Sequence, residues 1–283
     1  LSSFSERVSA TSSSTGSFSL ADNLWLIGVI ALAGAAVCGY FVFRQRSLQK
    51  EMIETETFSV SEVQDMQSAA ADAAGEGYFR QKCEIVGTAQ PGPEGPIKSE
   101  LSETECVWHK HVVTRKYWTT ERRRDSNGHY RERQVQRTEK LVERETEEPF
   151  VVADETGHIA VRPEGALEDV EKATDRFEPH DESSNQSELA IGSFKLSIPT
   201  KQREGTVGYQ YEEWILRPGQ KLYVLGEATD EPGELMIANT SLISTKDEQT
   251  LLRETRSKLR LFSGGAALAA AIGVVIILVD LLG

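Results

Sequence analysis

The side chains best suited to chemistry in this chain cluster early. Cys106, His109 and His111 fall within six consecutive positions, and thiolate and imidazole are typical ligands of transition metals. Side chains on a strand alternate between faces, so His109 and His111 share one face and Cys106 takes the other. Two imidazoles make half of a zinc site, and a third ligand, His129 or a glutamate, has to come from elsewhere. The expectation is therefore no metal and no cofactor, with His109 and His111 as the candidates should there be one. No Gly-x-Ser-x-Gly elbow, P-loop or Gly-x-Gly-x-x-Gly fingerprint occurs. Asp154-Glu155-Thr156-Gly157 is not the Asp-Thr-Gly of aspartic proteases, and no carboxylate pair is set in an apolar surrounding. The catalytic expectation is that there is none.

Charge is segregated. Residues 115–144 hold ten Lys/Arg and five acids, a net of +5, whereas 145–190 hold fourteen acids and three bases, a net of −11. The whole chain of 283 residues carries a formal −13, which argues against generic nucleic-acid binding. Arg122, Arg123, Arg124, Arg131 and Arg133 flank Ser126-Asn127-Gly128, a type I′ turn signal. These five arginines are the candidates for binding a protein partner or anionic headgroups. The bland alternative is a self-neutralising pair of strands. Tyr117, Trp118 and Tyr130 are too few aromatics for a single-strand binder.

The elements that must position these residues are bounded by two apolar runs. Residues 23–43 and 262–283 are long enough to cross roughly 30 Å of hydrocarbon, and Asp280 is their only charged residue. A signal peptide needs a basic leader, and the first 22 residues offer only Arg7. The run Ala35-Ala36-Val37-Cys38 departs from a lipoprotein box at Val37. Arg44, Arg46 and Lys50 follow the first run, and Arg253, Arg256, Lys258 and Arg260 precede the second. The positive-inside rule then puts the middle of the chain in the cytoplasm and both termini outside a cell membrane crossed twice. A cytoplasmic setting leaves Cys83 and Cys106 as free thiols. Gly264, Gly265 and Gly273 permit close helix packing.

The predicted organisation is a disordered tail over 1–22, a span over 23–43, and a juxtamembrane helix over 44–77, bent near 55–60 and stopped by Gly75-Glu76-Gly77. A β-rich domain over 78–245 follows. A helix over 246–261, capped by Ser244 or Thr245, then runs into a span over 262–283. The fold class is a membrane protein with two transmembrane helices flanking a β-rich, mainly antiparallel soluble domain with short helices. Within it, 150–161 reads as a hairpin with Gly157 left-handed. Tyr211–Leu216 and Lys221–Glu227 read as a second hairpin around Pro218-Gly219, and 166–190 as a short helix and a loop.

Several segments in order carry a resemblance: Cys106-Val-Trp-His109, Pro149 to Ala166, Tyr211 to Ala228, and Leu242 to Lys246 before the second apolar run. Together they resemble the GIDE/Mulan family of membrane-embedded RING-type ubiquitin ligases, over about residues 80–283. The resemblance implies a "beside a membrane" domain held between two transmembrane helices. The family's ligases use a C-terminal RING to recruit the ubiquitin-charged enzyme. No RING is expected here, since three Cys in the whole chain cannot build a two-zinc module. The functional expectation is a non-catalytic partner-recognition or scaffold module. One alternative is a component of ubiquitin transfer whose RING another subunit supplies, and a second is a membrane-bound hydrolase.

Overall fold

The computed structural model describes residues 24–124, 128–180, 188–198, 205–231 and 233–282. The predicted tail, and Ser126 and Asn127 of the predicted turn, lie outside them. In chain order the elements are α1 (Leu24–Glu54), α2 (Val60–Ala74), β1 (Arg80–Gln90), β2 (Ile97–Lys98), β3 (Glu105–Cys106), β4 (Trp108–Arg124) and β5 (Tyr130–Glu145). Next come β6 (Phe150–Ala153), β7 (His158–Val161), β8 (Leu167–Glu168), β9 (Glu171–Pro179), β10 (Glu188–Ile191) and β11 (Phe194–Ser197). The last four are β12 (Thr206–Leu216), β13 (Lys221–Thr229), β14 (Met236–Ser244) and α3 (Glu248–Leu282).

α1 and α3 carry the apolar runs, and both are long and apolar enough to cross a membrane. Only 11% and 6% of their apolar windows are buried, so neither is the core helix of a soluble body. Ile30, Phe43, Leu268 and Val279 all stand exposed. The two helices pack on each other at small residues. A Cβ on Gly28 would lie 2.6 Å from Ile277 Cγ1, and one on Gly273 would lie 3.0 Å from the Gly28 carbonyl oxygen. Gly264 and Gly265, by contrast, have nothing within 4 Å of such a Cβ. Phe41 and Phe262 stack with ring centroids 5.7 Å apart.

The bend expected near 55–60 is a full break. Thr57 leaves the helix to bridge Glu84, and α2 restarts behind Ser59. The Ser59 hydroxyl accepts from Glu62 N–H while the Glu62 carboxylate accepts from Ser59 N–H, a capping box. The restart turns Val60 and Val63 into the core, where both are fully buried. Gly75 ends α2, as expected, with its N–H bonded to the Ala71 carbonyl. At α3 the cap is Asp247 rather than Ser244 or Thr245. Its carboxylate accepts from Thr250 N–H at 3.1 Å and Thr250 Oγ1 at 2.8 Å. The Ser244 hydroxyl instead donates to Asp169.

Two β bodies fill the middle. In the first, the strand order β13-β1-β6-β7-β14 closes because β14 also pairs β13. This small barrel leaves none of its five strands as a free edge. Most pairings are antiparallel, but β14 runs parallel to β7 and to β8, so the sheet is mixed. Ile85, Phe150, Val152, Val161, Val224 and Ile237 fill it, with Val60 and Val63 packed among them. The second body is an antiparallel sheet in the order β5-β4-β12-β9. Trp108 and Leu216, at the near ends of β4 and β12, belong to the barrel core and join the two bodies.

Three local expectations are corrected. In segment 166–190, of which 181–187 lie outside the described residues, no helix forms over 166–180: β9 pairs with β12 from Ile215↔Glu171 to Gly208↔Pro179. β12 needs a second neighbour, and ion pairs of Lys172 with Glu212 and of Arg217 with Glu171 let a polar segment serve. Tertiary pairing overrides local propensity there. β12 and β13 do not form a hairpin, since β12 pairs with β4 and β9 while β13 pairs with β1 and β14. In the β6–β7 hairpin, Gly157 is absent from the left-handed residues. The turn is held by Asp154, whose carboxylate accepts from Thr156 N–H and Gly157 N–H, and also from Val60 N–H at 2.8 Å. Gly157 is needed for space instead: a Cβ there would lie 3.1 Å from Val60 Cγ1.

Candidate functional site

Alternation on β4 puts His109 and His111 on one face. The register then sets Glu213 of β12 directly opposite His111. One ligand atom from each of the three lies within 4.8 Å of the others. His111 and Glu213 are 0% exposed, and His109 is half-buried. The backbone at His109 is clamped by Thr146, whose hydroxyl accepts from His109 N–H and donates to its carbonyl, both at 3.1 Å.

Glu213 is held by main chain. Leu101 N–H donates to one carboxylate oxygen at 2.7 Å and Ser102 N–H to the other at 2.9 Å. The loop that offers them is itself pinned. Ser193 N–H and Phe194 N–H both donate to the Glu100 carbonyl, at 3.0 and 3.3 Å. Gly192 makes that approach feasible: its φ is +56°, and a Cβ there would lie 2.6 Å from the Glu100 carbonyl oxygen. Phe194 meets the His111 ring edge-on at 5.2 Å. The β10–β11 hairpin thus covers the cluster and closes a second small core with Val113, Tyr211 and Leu189.

The electrostatics of this cluster are incomplete. Among the described residues, His109 Nδ1 and both ring nitrogens of His111 are buried without a hydrogen-bond partner. The nearest carboxylate oxygen recorded for His111 Nε2 is Glu100 Oε2 at 3.7 Å, beyond hydrogen-bond reach. Each buried polar group left so costs roughly 1–3 kcal/mol. Burial holds both imidazoles below their ordinary range, against the pull of the Glu213 and Glu100 charges. Both are therefore neutral at pH 7, with lone pairs to offer. Glu213 has no ion-pair partner among the described residues. A buried carboxylate is normally paired or bound to metal.

An open cleft of about 660 Å³ runs beside the cluster, lined by Glu100, His109, Lys110, Glu143, Arg144 and Glu148 among others. Hydrogen bonds from Lys140 and Lys110 hold the Glu143 carboxyl down at about 2. Cys106 lies outside the trio, on β3 rather than on the strand that carries the histidines. Burial pushes its thiol, and that of Cys83, up to about 11, and all three cysteines are free. His129, at the hairpin tip, does not join the cluster. Glu213 does, and one signal in the sequence points to it. It breaks the inward row Tyr209, Tyr211, Ile215 with a carboxylate, and the chance that it faced the histidines depended on a register invisible in one chain.

The five candidate arginines lie elsewhere. β12 ends opposite Tyr117, so β4 and β5 run on beyond the sheet as a two-stranded ribbon. Arg122 faces Glu132, Arg133 faces Glu121, and Arg123 faces Arg131. Arg122 also covers the Tyr130 ring at 4.5 Å, Arg124 Nε donates to the Gly128 carbonyl at 3.3 Å, and Arg137 pairs with Glu121. The ribbon is therefore partly self-neutralised, with Arg123 and Arg131 standing directly opposite each other. Nothing brings these arginines to the histidine cluster.

A family model described as GIDE, E3 ubiquitin ligase, matches residues 119–278. The match runs from within β4 to within α3 and covers more than half of the chain. No curated protein and no solved structure matches.

Proposed function

The chain belongs to the GIDE family, described as E3 ubiquitin ligase, and on that premise we propose that it is a bilayer-anchored recognition module acting by contact. The observation that carries this reading is the exposed apolar surface of α1 and α3, of a length and composition that hydrocarbon would accommodate. In the proposal both helices cross the membrane as an antiparallel pair. Arg44, Arg46 and Lys50 on one, and Arg253, Arg256, Lys258 and Arg260 on the other, are exposed at the domain-side ends. That placement favours a cytoplasmic β domain with both termini outside.

The recognition surface in this reading is the ribbon end bearing Arg122, Arg123, Arg124, Arg131 and Arg133. It projects past the sheet and gathers five arginines on one short ribbon. The test is crosslinking in native membranes with and without R122E/R123E/R124E/R131E/R133E. Loss of the main crosslinked protein is expected, and an unchanged set would defeat the idea. Vesicles with and without anionic lipid separate headgroup binding from protein binding.

A second reading follows from the family's description. The chain would take part in ubiquitin transfer together with a RING-bearing unit. Recovery of such a unit with the purified protein, and ubiquitination that depends on both, would favour it over a purely positional role.

A further inference from the structure

From the geometry of β4 and β12 we infer that His109, His111 and Glu213 form a binding site for one divalent first-row transition metal ion, zinc being the best fit. Two imidazoles and one carboxylate are an established donor set for zinc with an open position, and for other ions of the same row. The inference is independent of the partner-recognition reading, and the family match begins only at Thr119, after both histidines.

Four observations converge on it. The donor atoms lie within 4.8 Å of one another, whereas tetrahedral zinc at about 2.0–2.1 Å needs them roughly 3.3 Å apart; a rotamer adjustment on the order of 1 Å closes the difference. His111 is fully buried and has two ring nitrogens without a hydrogen-bond partner among the described residues. Glu213 is fully buried, and among the described residues its carboxylate accepts from the amides of Leu101 and Ser102. Those amides orient a ligating carboxylate in the manner of an outer shell. Finally, half-buried His109 lines the cleft, whose wall includes Glu94, Glu100, Glu143, Glu145, Glu147 and Glu148 against Lys110 and Arg144. A cation therefore has an attractive route in past His109.

The test uses the full chain in detergent, stripped with a chelator, dialysed, and titrated with Zn(II) and with Co(II). One equivalent of either should bind, and Co(II) should develop the intense visible bands of a low-coordinate N/O site. H109Q, H111Q and E213Q should each lower affinity by more than the roughly 10–100-fold that losing an outer-shell partner costs. H109Q is the decisive variant, because His109 is only half-buried and its near-UV circular dichroism can be checked against wild type. Mg(II) in excess should not compete. The inference is overturned if the wild type takes up no stoichiometric metal. It is equally overturned if folded H109Q binds like wild type, or if Mg(II) displaces the ion, which would mean diffuse binding to the acidic rim.

Discussion

The barrel and the four-stranded sheet bury similar kinds of strand for different ends. In the barrel, the inward residues Ile85, Val152, Val161, Val224 and Ile237 are apolar and fully buried. In the sheet, the inward row of β4 reads His109, His111, Val113, Arg115, and β12 answers with Tyr211 and Glu213. Arg115 is buried but satisfied, bonding Thr206 at 2.7 Å and pairing with Glu139. His111 is not. The barrel carries stability through transfer of apolar surface. The sheet surrenders some of that for polar groups, and unsatisfied polar groups in a native interior call for a functional account.

The largest expected effect tests the first half of that contrast. Phe150→Ala in the barrel core, where Phe150 is 1% exposed, should cost about 3–5 kcal/mol by denaturant unfolding. Phe194→Ala should also destabilise, but its signature is local: amide exchange at Leu101 and Ser102 should rise, because their loop is covered by that hairpin. Equal exchange at those amides in both variants would erase the distinction between the bodies.

Next in size, Gly273→Leu should force α1 and α3 apart at about 1–3 kcal/mol. A Cys pair in F41C/F262C reports it: disulfide yield should fall severalfold while the circular dichroism of the β domain stays as it was. Asp154→Ala should then cost about 0.5–2 kcal/mol, the range of a lost cap, because it releases Val60 N–H as well as the turn. Burial raises the Asp154 pKa, but hydrogen bonds from Thr156, Val60 and Gly157 outweigh it and leave the carboxyl below its ordinary range. Its contribution is present above the unfolded pKa and is lost as pH falls through the folded one. D154N should flatten that acid limb of the melting curve.

Glu84 should behave with the opposite sign. It is 2% exposed, and burial raises its pKa despite hydrogen bonds from Tyr223 and Thr57. Its contribution is therefore full below the unfolded carboxylate pKa and lost as pH rises through the folded value. Glu84→Gln should remove that decline and leave the neutral-pH midpoint at or above wild type; a midpoint that falls at every pH would count against it. Smallest of all, replacing any single ribbon arginine by Gln should change stability by no more than about 0.5 kcal/mol, whatever it does to partner binding.

Much of this was legible in one chain. Apolar run length identified α1 and α3, the glycines at 75 and 77 marked the end of α2, and the shared face of the histidines followed from strand alternation. β9 was missed because its sequence is polar and only an open edge on β12 makes it a strand. The supposed β12–β13 hairpin failed because adjacent strands were assigned to each other when each had a better partner in a different body. Asp247 displaced the expected cap because Ser244 is still inside β14 and is bonded to Asp169.

The sequence by itself determined where hydrocarbon-compatible helices lie, which residues alternate together, and the charge of the ribbon, since those are properties of neighbours along the chain. Only the tertiary structure decided that Glu213 stands against His111 from about a hundred residues away. It also decided that a loop at Leu101 and Ser102 holds it and that a glycine-turned hairpin seals it. Strand register is fixed by the packing of whole faces, and no local pattern encodes which distant carboxylate that packing will bring in.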